Sequence, residues 1–216
     1  MTESATPRGL FVTIEGGDGA GKSTQAALLA DWLAASGRTI VRTREPGGTE
    51  FGLEVREIVL HSRGQISDRA EALLYAADRA QHIATKVRPA LERGEVVIQD
   101  RYIDSSVAYQ GAGRVLDGGE IRRLSEWATE GLRPDLTILI DLDEAHARER
   151  LDRAEKRFDR LEAEKSDFHT RVRASFLAIA ADDSERFLVV DGALPPDVIS
   201  AQIRERLAPL VVSGGR

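Results

Sequence analysis

The segment from Gly16 to Thr24 combines residue types and a spacing that can bind phosphate. It consists of Gly16, Gly17, Asp18, Gly19, Ala20, Gly21, Lys22, Ser23 and Thr24, which matches the pattern G-x-x-x-x-G-K-[ST]. Such glycines let the backbone turn its N–H groups inward, and a helix that begins after them adds its positive end. Lys22 can neutralise β- and γ-phosphates, and the Ser23 hydroxyl can ligate Mg²⁺. The segment therefore predicts a site for nucleotide phosphates.

A carboxylate at the end of an apolar strand is the expected second ligand of the metal. Asp100, Asp141 and Asp191 each end an apolar run, so position alone does not choose among them. Asp100 is favoured because Arg101 follows it directly, which places a carboxylate for the metal beside a cation for phosphate. We therefore predict Ser23 and Asp100 as the magnesium ligands.

Basic and aromatic residues near other predicted strand ends indicate a second ligand. Four arginines lie in or just after such elements: Arg44, Arg56, Arg79 and Arg101. If they converge, they can bind an anion opposite the nucleotide, because guanidinium groups match phosphate geometry. Tyr75 and Tyr109 each offer a ring face for a base and a hydroxyl for a sugar.

Residues 148–160 are dense in charges of both signs. A solvated helix with i,i+4 ion pairs accounts for most of them. Phosphoryl transfer, however, needs cations on the transferred group beyond a lysine and Mg²⁺, and the phosphate loop contains no arginine. We therefore expect a mobile charged lid over about 148–162 that brings an arginine to the phosphates and excludes water.

The elements that position these residues alternate along the chain. Apolar runs predict strands at 10–14, 39–43, 96–100, 136–141 and 187–191. Helical patterns cover 25–33, 52–60, 68–93 with Asp68 as N-cap, 103–131 in two pieces broken by glycines, 144–182, and the segment from Pro196. This alternation predicts an α/β fold, a doubly wound five-stranded parallel sheet with helices on both faces. Ligands in such sheets bind outside the carboxyl ends of the strands. The phosphate loop, Arg44 to Pro46 and Asp100 to Tyr102 each follow or end one of these strands.

Composition limits the possible functions. A chain of 216 residues suits one domain, with 1–8 and 211–216 expected as flexible tails. A net charge of −6 argues against nucleic-acid binding, and the lack of cysteine excludes disulfides and thiol catalysis. Without asparagine, the chain cannot carry the Asn-Lys-x-Asp guanine motif of regulatory GTPases. No apolar run approaches membrane length and no signal sequence is evident, so we expect a cytoplasmic protein without membrane contact.

Four motifs together resemble the bacterial thymidylate (dTMP) kinase family. They are Glu15 to Thr24, the run Thr43-Arg44-Glu45-Pro46-Gly47-Gly48-Thr49, Asp100-Arg101-Tyr102 followed by Ser105 to Gln110, and Arg133 to Thr137. The resemblance extends over about residues 9 to 208 in the same order. It implies a nucleoside monophosphate kinase fold, ATP and Mg²⁺ as cofactors, and dTMP as the acceptor that becomes dTDP. It also implies a homodimer, for which the 52–60 and 68–93 helices carry apolar positions.

The resemblance also implies individual roles. Lys22 and Ser23 would serve the ATP phosphates and Mg²⁺, Asp18 the 3′-hydroxyl side of dTMP, and Arg101 the acceptor phosphate. The acceptor site would further include Arg44, Glu45, Pro46, Arg56, Tyr75, Arg79, Ser106, Tyr109 and Gln110, with Tyr75 stacked on thymine, Ser106 at the base edge and Tyr109 near C2′. The family places its extra catalytic arginine either in the phosphate loop or in the lid. This chain resembles the lid type, with Arg153 as the best positional match and Arg150, Arg157 and Arg160 as alternatives.

Two other functions fit the phosphate loop alone. A kinase for another nucleotide or for a nucleoside is the first, but a nucleoside would not require four arginines at the acceptor side. A nucleotide-dependent switch or partner-binding ATPase is the second, and it has no use for an acceptor pocket.

Overall fold

The computed structural model describes residues 9–62, 64–153 and 159–213. Within them, five strands form one parallel sheet in the order β2-β3-β1-β4-β5. The strands are β1 (Leu10–Glu15), β2 (Ile40–Arg44), β3 (Val96–Asp100), β4 (Leu136–Asp141) and β5 (Phe187–Asp191). The predicted doubly wound α/β fold is confirmed.

Helices connect the strands and cover the sheet. They are α1 (Lys22–Ala35), α2 (Glu50–His61), α3 (Asp68–His82), α4 (Arg88–Glu92), α5 (Ile103–Ser106), α6 (Gly118–Ala128), α7 (Glu144–Arg153), α8 (Ser166–Asp182) and α9 (Pro196–Ser213). A π-helical turn, Ile83–Val87, joins α3 to α4, and a second one, Val107–Gly113, extends α5.

Alternating strand residues form two cores, one on each face. Phe11, Val97 and Leu139 pack toward α2, α3 and α8 on one face. Neighbouring residues such as Val12 and Ile138 pack with α1 and α9 on the other. Because every central strand is buried on both sides, it is apolar along its length, as parallel sheets require.

Several predicted boundaries need correction. Ser67, whose hydroxyl accepts a bond from Ala70 N, caps α3, so Asp68 is the first helical residue and not the cap. Gly118 and Gly119 begin α6 under an Asp117 cap and do not break a helix. The 144–182 segment divides into α7 and α8, while α9 continues to Ser213, beyond the predicted start of the C-terminal tail. Residues 154–158 of the predicted lid, which include Arg157, and residues 1–8 lie outside the described residues.

In the part of the chain that the structure describes, no helix is both long and apolar enough to cross a membrane.

Candidate active site

A cavity of about 480 Å³ opens at the carboxyl ends of β1, β2 and β3, where side chains from three loops meet. Most of the predicted site residues line it: Asp18, Gly19, Gly21, Lys22, Ser23, Thr24, Arg44, Glu45, Pro46, Arg56, Tyr75, Arg79, Asp100, Arg101, Ser106, Tyr109 and Gln110. Gly16 and Gly17 border a second cavity of about 310 Å³ between α7 and α8, and Ala20 is buried. The structure thus brings together residues that are far apart in the sequence, from the phosphate loop after β1 to the region after β3.

The phosphate loop connects β1 to α1 as its sequence predicts. Gly19 has φ +78°, and a Cβ there would lie 2.7 Å from Ala147 O and 3.2 Å from Leu151 Cγ of α7. Inside the loop, Lys22 Nζ donates to Gly16 O at 3.1 Å and to Gly17 O at 2.7 Å. Burial lowers the pKa of Lys22, and the positive charge of Arg101 acts in the same direction. A bound polyphosphate would oppose both effects, since it favours the charged amine.

A cluster of Asp18, Arg101 and Tyr109 forms the wall between the loop and the rest of the cavity. Arg101 Nη2 donates to Asp18 Oδ1 at 2.5 Å and to Tyr109 Oη at 3.1 Å, and Tyr109 Oη donates to Asp18 Oδ2 at 3.2 Å. Burial alone would raise the pKa of Asp18, but the charges of Arg101 and Lys22 outweigh it and lower this pKa well below its usual range. Asp18 is therefore ionised, and its carboxylate is a fixed hydrogen-bond acceptor.

Arg101 adopts an uncommon backbone conformation, with φ +68°. Its amide donates to Ile14 O, and its guanidinium reaches back to Gly16 O at 3.2 Å. A non-glycine residue in this region is strained, and such strain concentrates at functional sites. The conformation turns Arg101 from the end of β3 toward the phosphate loop.

Two further arginines lie at the opposite side of the cavity. Arg56 Nη1 donates to Pro46 O at 3.0 Å, and Arg44 is exposed at the end of β2. Burial lowers the pKa of Arg56, and the adjacent Arg44 guanidinium lowers it further. Two like charges held close together favour an anion between them, because the anion relieves their repulsion.

Arg79 differs from the expectation that it binds an anion. Its guanidinium is 2% exposed and is paired with Glu45 at 2.7 Å, and it also donates to Ser106 Oγ at 3.1 Å. His82 Nδ1 lies 2.9 Å from the other Glu45 oxygen. Arg79 therefore neutralises Glu45 and supports the cavity wall, which Arg44, Arg56 and Arg101 also line.

The predicted metal ligands lie in the same cavity. Ser23 is exposed at the start of α1, while Asp100 Oδ1 is buried and has no hydrogen-bond partner among the described residues. An unused buried carboxylate oxygen beside a hydroxyl fits Mg²⁺, which binds few protein ligands and completes its shell with phosphates and water. The described residues contain no cluster of three or more acidic or histidine ligands.

The arginines of the predicted lid occupy different surroundings. Arg153 ends α7 with a 73% exposed side chain, is paired with Glu149, and does not line the cavity. Arg150 lines the cavity, and its Nη2 donates to Gly192 O at 2.9 Å. Arg160 is bound to Glu71 and to Val59 O and does not line the cavity. The structure thus places Arg150, not Arg153, at the site.

Sequence reasoning missed three acidic residues. Asp159 and Glu162, at the C-terminal end of the predicted lid segment, line the cavity. Glu15 is fully buried and accepts bonds from Tyr102 N at 2.7 Å and from Ser105 Oγ at 2.5 Å. Burial, reinforced by the carboxylate of Asp104, raises the pKa of Glu15 to about 7. The signal available in the sequence was the position of Glu15, an acidic residue that ends an apolar strand directly before the phosphate loop.

Comparisons with known proteins agree on one family. The family model described as "Thymidylate kinase" matches residues 14–203. A thymidylate kinase of Leifsonia xyli subsp. xyli is 71% identical over 199 residues, covering 92% of this chain and 94% of that protein. A thymidylate kinase of Deinococcus radiodurans is 50% identical over 198 residues, covering 91% and 95%. The crystal structure of thymidylate kinase from Ehrlichia chaffeensis superimposes with a TM-score of 0.76 at 32% identity, covering 93% of this chain and 99% of that one.

Proposed function

Because the chain belongs to the thymidylate kinase family and phosphorylates dTMP to dTDP with ATP, we propose that its cavity holds both nucleotides with their phosphates facing each other between Lys22 and Arg101. The observation that carries this proposal is the position of the Asp18, Arg101 and Tyr109 cluster. It borders the phosphate loop on one side and the cavity that Arg44 and Arg56 line on the other. Donor and acceptor sites are therefore continuous.

On the donor side, the backbone of Gly16–Thr24 and the Lys22 ammonium bind the ATP phosphates. Ser23 and Asp100 are the residues that would hold Mg²⁺, which neutralises charge on the β- and γ-phosphates when bound. Arg150 supplies the lid cation, since it lines the cavity whereas Arg153 does not.

On the acceptor side, Arg44, Arg56 and Arg101 bind the 5′-phosphate of dTMP. Ionised Asp18 accepts a hydrogen bond from the 3′-hydroxyl, and Tyr109, held by Asp18 and Arg101, stands near C2′. Tyr75 stacks on the thymine ring, with Ser106 and Gln110 at the edge of the base and Arg79, Glu45 and Pro46 as the supporting wall.

The reaction is an in-line transfer of the γ-phosphoryl group to a phosphate oxygen of dTMP. That oxygen is already ionised at neutral pH, so the residues need not supply a general base. They position the two nucleotides, neutralise charge and exclude water, which are the main contributions in phosphoryl transfer.

A coupled ADP-release assay with dTMP, dUMP, dCMP, UMP and thymidine as acceptors tests this proposal. Arg56→Ala should raise the KM for dTMP by about tenfold or more, because one charge-assisted phosphate contact is lost, with the KM for ATP unchanged. Arg42→Ala, an exposed arginine two residues before Arg44, is the matched control and should behave as wild type. An unchanged KM for dTMP in Arg56→Ala would contradict the acceptor assignment.

We also propose a homodimer in the cytoplasm. Large apolar side chains are exposed on α2 and α3, namely Phe51, Leu53, Ile58 and Leu73, and Trp127 on α6 is 81% exposed. A second copy of the chain would cover such side chains. Light scattering coupled to size exclusion should give twice the chain mass, and a monomer at micromolar concentration would contradict the dimer. The cytoplasm is where ATP and nucleoside monophosphates meet, and cell fractionation tests it.

A further inference from the structure

The carboxylate of Glu71, on α3, lies beneath the part of the cavity assigned above to the base. Glu71 is fully buried, and four donors point at its two oxygens. Gln110 Nε2 donates to Oε1 at 2.9 Å, and Arg114 donates to Oε1 at 3.4 Å and to Oε2 at 3.3 Å. Arg160 also donates to Oε2. Both carboxylate oxygens are therefore occupied.

Glu71 is an acceptor without a proton of its own. Burial works against its charge, but the bonds from Gln110, Arg160 and Arg114 outweigh burial and lower the pKa of Glu71 below its ordinary value. An ionised carboxylate can only accept hydrogen bonds. The amide of Gln110 must therefore present its nitrogen to Glu71, because the reversed amide would set two acceptor oxygens against each other.

The orientation of this amide determines what the cavity offers to a base. With its nitrogen bound to Glu71, Gln110 turns its Oε1 away from Glu71, and no described residue donates to that oxygen. Gln110 lines the cavity beside Ser106, whose Oγ already accepts from Arg79 Nη2 at 3.1 Å and so has its proton available. The Gln110 oxygen, an acceptor, thus lies next to the Ser106 hydroxyl, a donor. This order complements an N–H beside a C=O, the pattern at N3 and C4 of thymine.

From this geometry, we propose that Glu71 is a positioning residue for acceptor specificity, which fixes the Gln110 amide so that its oxygen accepts the N3–H of the base. The proposal rests on the proposed placement of the base beside Tyr75 and Gln110. Glu71 itself does not touch the nucleotide. It acts through Gln110, and through Arg160 it also ties the segment that follows α7 to the floor of the base site.

Glu71→Gln tests the proposal, with wild type and variant compared on dTMP and on its 3-deaza analogue, in which C–H replaces N3–H. Wild type should prefer dTMP in kcat/KM on the order of 10- to 100-fold, because the analogue leaves the Gln110 oxygen unpaired. In Glu71→Gln the new amide can donate to Gln110, so Gln110 can turn its nitrogen to the cavity. The preference should then fall to within about threefold.

Glu164→Gln is the matched control. Glu164 is bound by the same Arg114 at 2.5 Å but does not touch Gln110, so this variant should keep the wild-type preference. If Glu71→Gln lowers activity on both acceptors equally and keeps the preference, Glu71 is only structural and the proposal is wrong.

A second variant keeps the test decisive if Glu71→Gln does not fold. Gln110→Met deletes the acceptor at constant charge and should abolish the preference for N3–H, while an unchanged preference would overturn the proposal. A separate measurement, the KM of Tyr75→Ala for dTMP, tests the placement of the base itself. An unchanged KM there would refute the proposed site, whereas a raised KM with an unchanged preference in Glu71→Gln would refute the role of Glu71 alone.

Discussion

Replacing Arg150 with alanine should remove the lid cation from the reaction. Arg150, in the last turn of α7, lines the cavity and donates to Gly192 O at 2.9 Å. A guanidinium that forms two charge-assisted bonds with the transferring group contributes about 3–4 kcal/mol, which corresponds to about 10²–10³-fold in kcat. Because these contacts form mainly in the transition state, the KM for dTMP should stay within about threefold of wild type. Steady-state kinetics with the coupled assay measures both constants.

Arg153→Ala is the control for this prediction, since it deletes an arginine from the same helix, α7. Its ion pair with Glu149 is exposed and spaced i,i+4, so its loss should cost only about 0.3–0.5 kcal/mol of stability and leave kcat within about twofold. Arg150→Ala loses one bond to a neutral carbonyl, about 0.5–1.5 kcal/mol, so both variants should fold. Circular dichroism checks that both do. A large loss of kcat in Arg153→Ala, with none in Arg150→Ala, would refute the assignment drawn from the structure.

Two further variants test the role of Tyr109 in the acceptor site and the effect of the buried carboxylate of Asp78, on α3, on stability. Tyr109→Phe removes the hydroxyl near C2′ and should lower the ratio of kcat/KM for dTMP to kcat/KM for UMP. An unchanged ratio would show that Tyr109 does not discriminate against ribonucleotides. Asp78 is buried, and this burial together with the charge of Glu45 raises its pKa from 3.8 to about 6. The unfolded chain therefore loses this proton at lower pH than the folded chain does. Because of this difference, Asp78 should lower the free energy of unfolding by up to about 3 kcal/mol as pH rises from about 4 to above 6. Asp78→Asn should lack this decline in urea unfolding at pH 5 and pH 7.5, and an identical decline in both proteins would show that Asp78 is not its source.

The sequence was sufficient for the strands and the phosphate loop because their signals are local. β-Branched runs define buried strands, and the glycines of the loop are required by its own backbone. The same local patterns located the ends of β2 and β3, and hence Arg44 and Arg101, at one edge of the sheet.

The remaining features depend on contacts between distant segments. The pairing of Arg79 with Glu45, 34 residues away, decides whether its charge is available, and no spacing in the sequence predicts that partner. Whether Arg150 or Arg153 faces the cavity depends on how α7 rotates against the loop. The π-helical turn Val107–Gly113 also departs from the 3.6-residue period on which helix prediction relies, at the residues Tyr109 and Gln110 that line the cavity.

The contact between Gly19 and α7 limits how the phosphate loop could change. The backbone of Ala147 and the side chain of Leu151 occupy the space that any side chain at position 19 would need, and the positive φ adds strain. An arginine could therefore enter the loop at this position only if α7, which carries Arg150, moved away. A side chain at position 19 would therefore compete for space with the helix that carries the proposed lid arginine, so a change at this position would require substitutions in the loop and in the helix together.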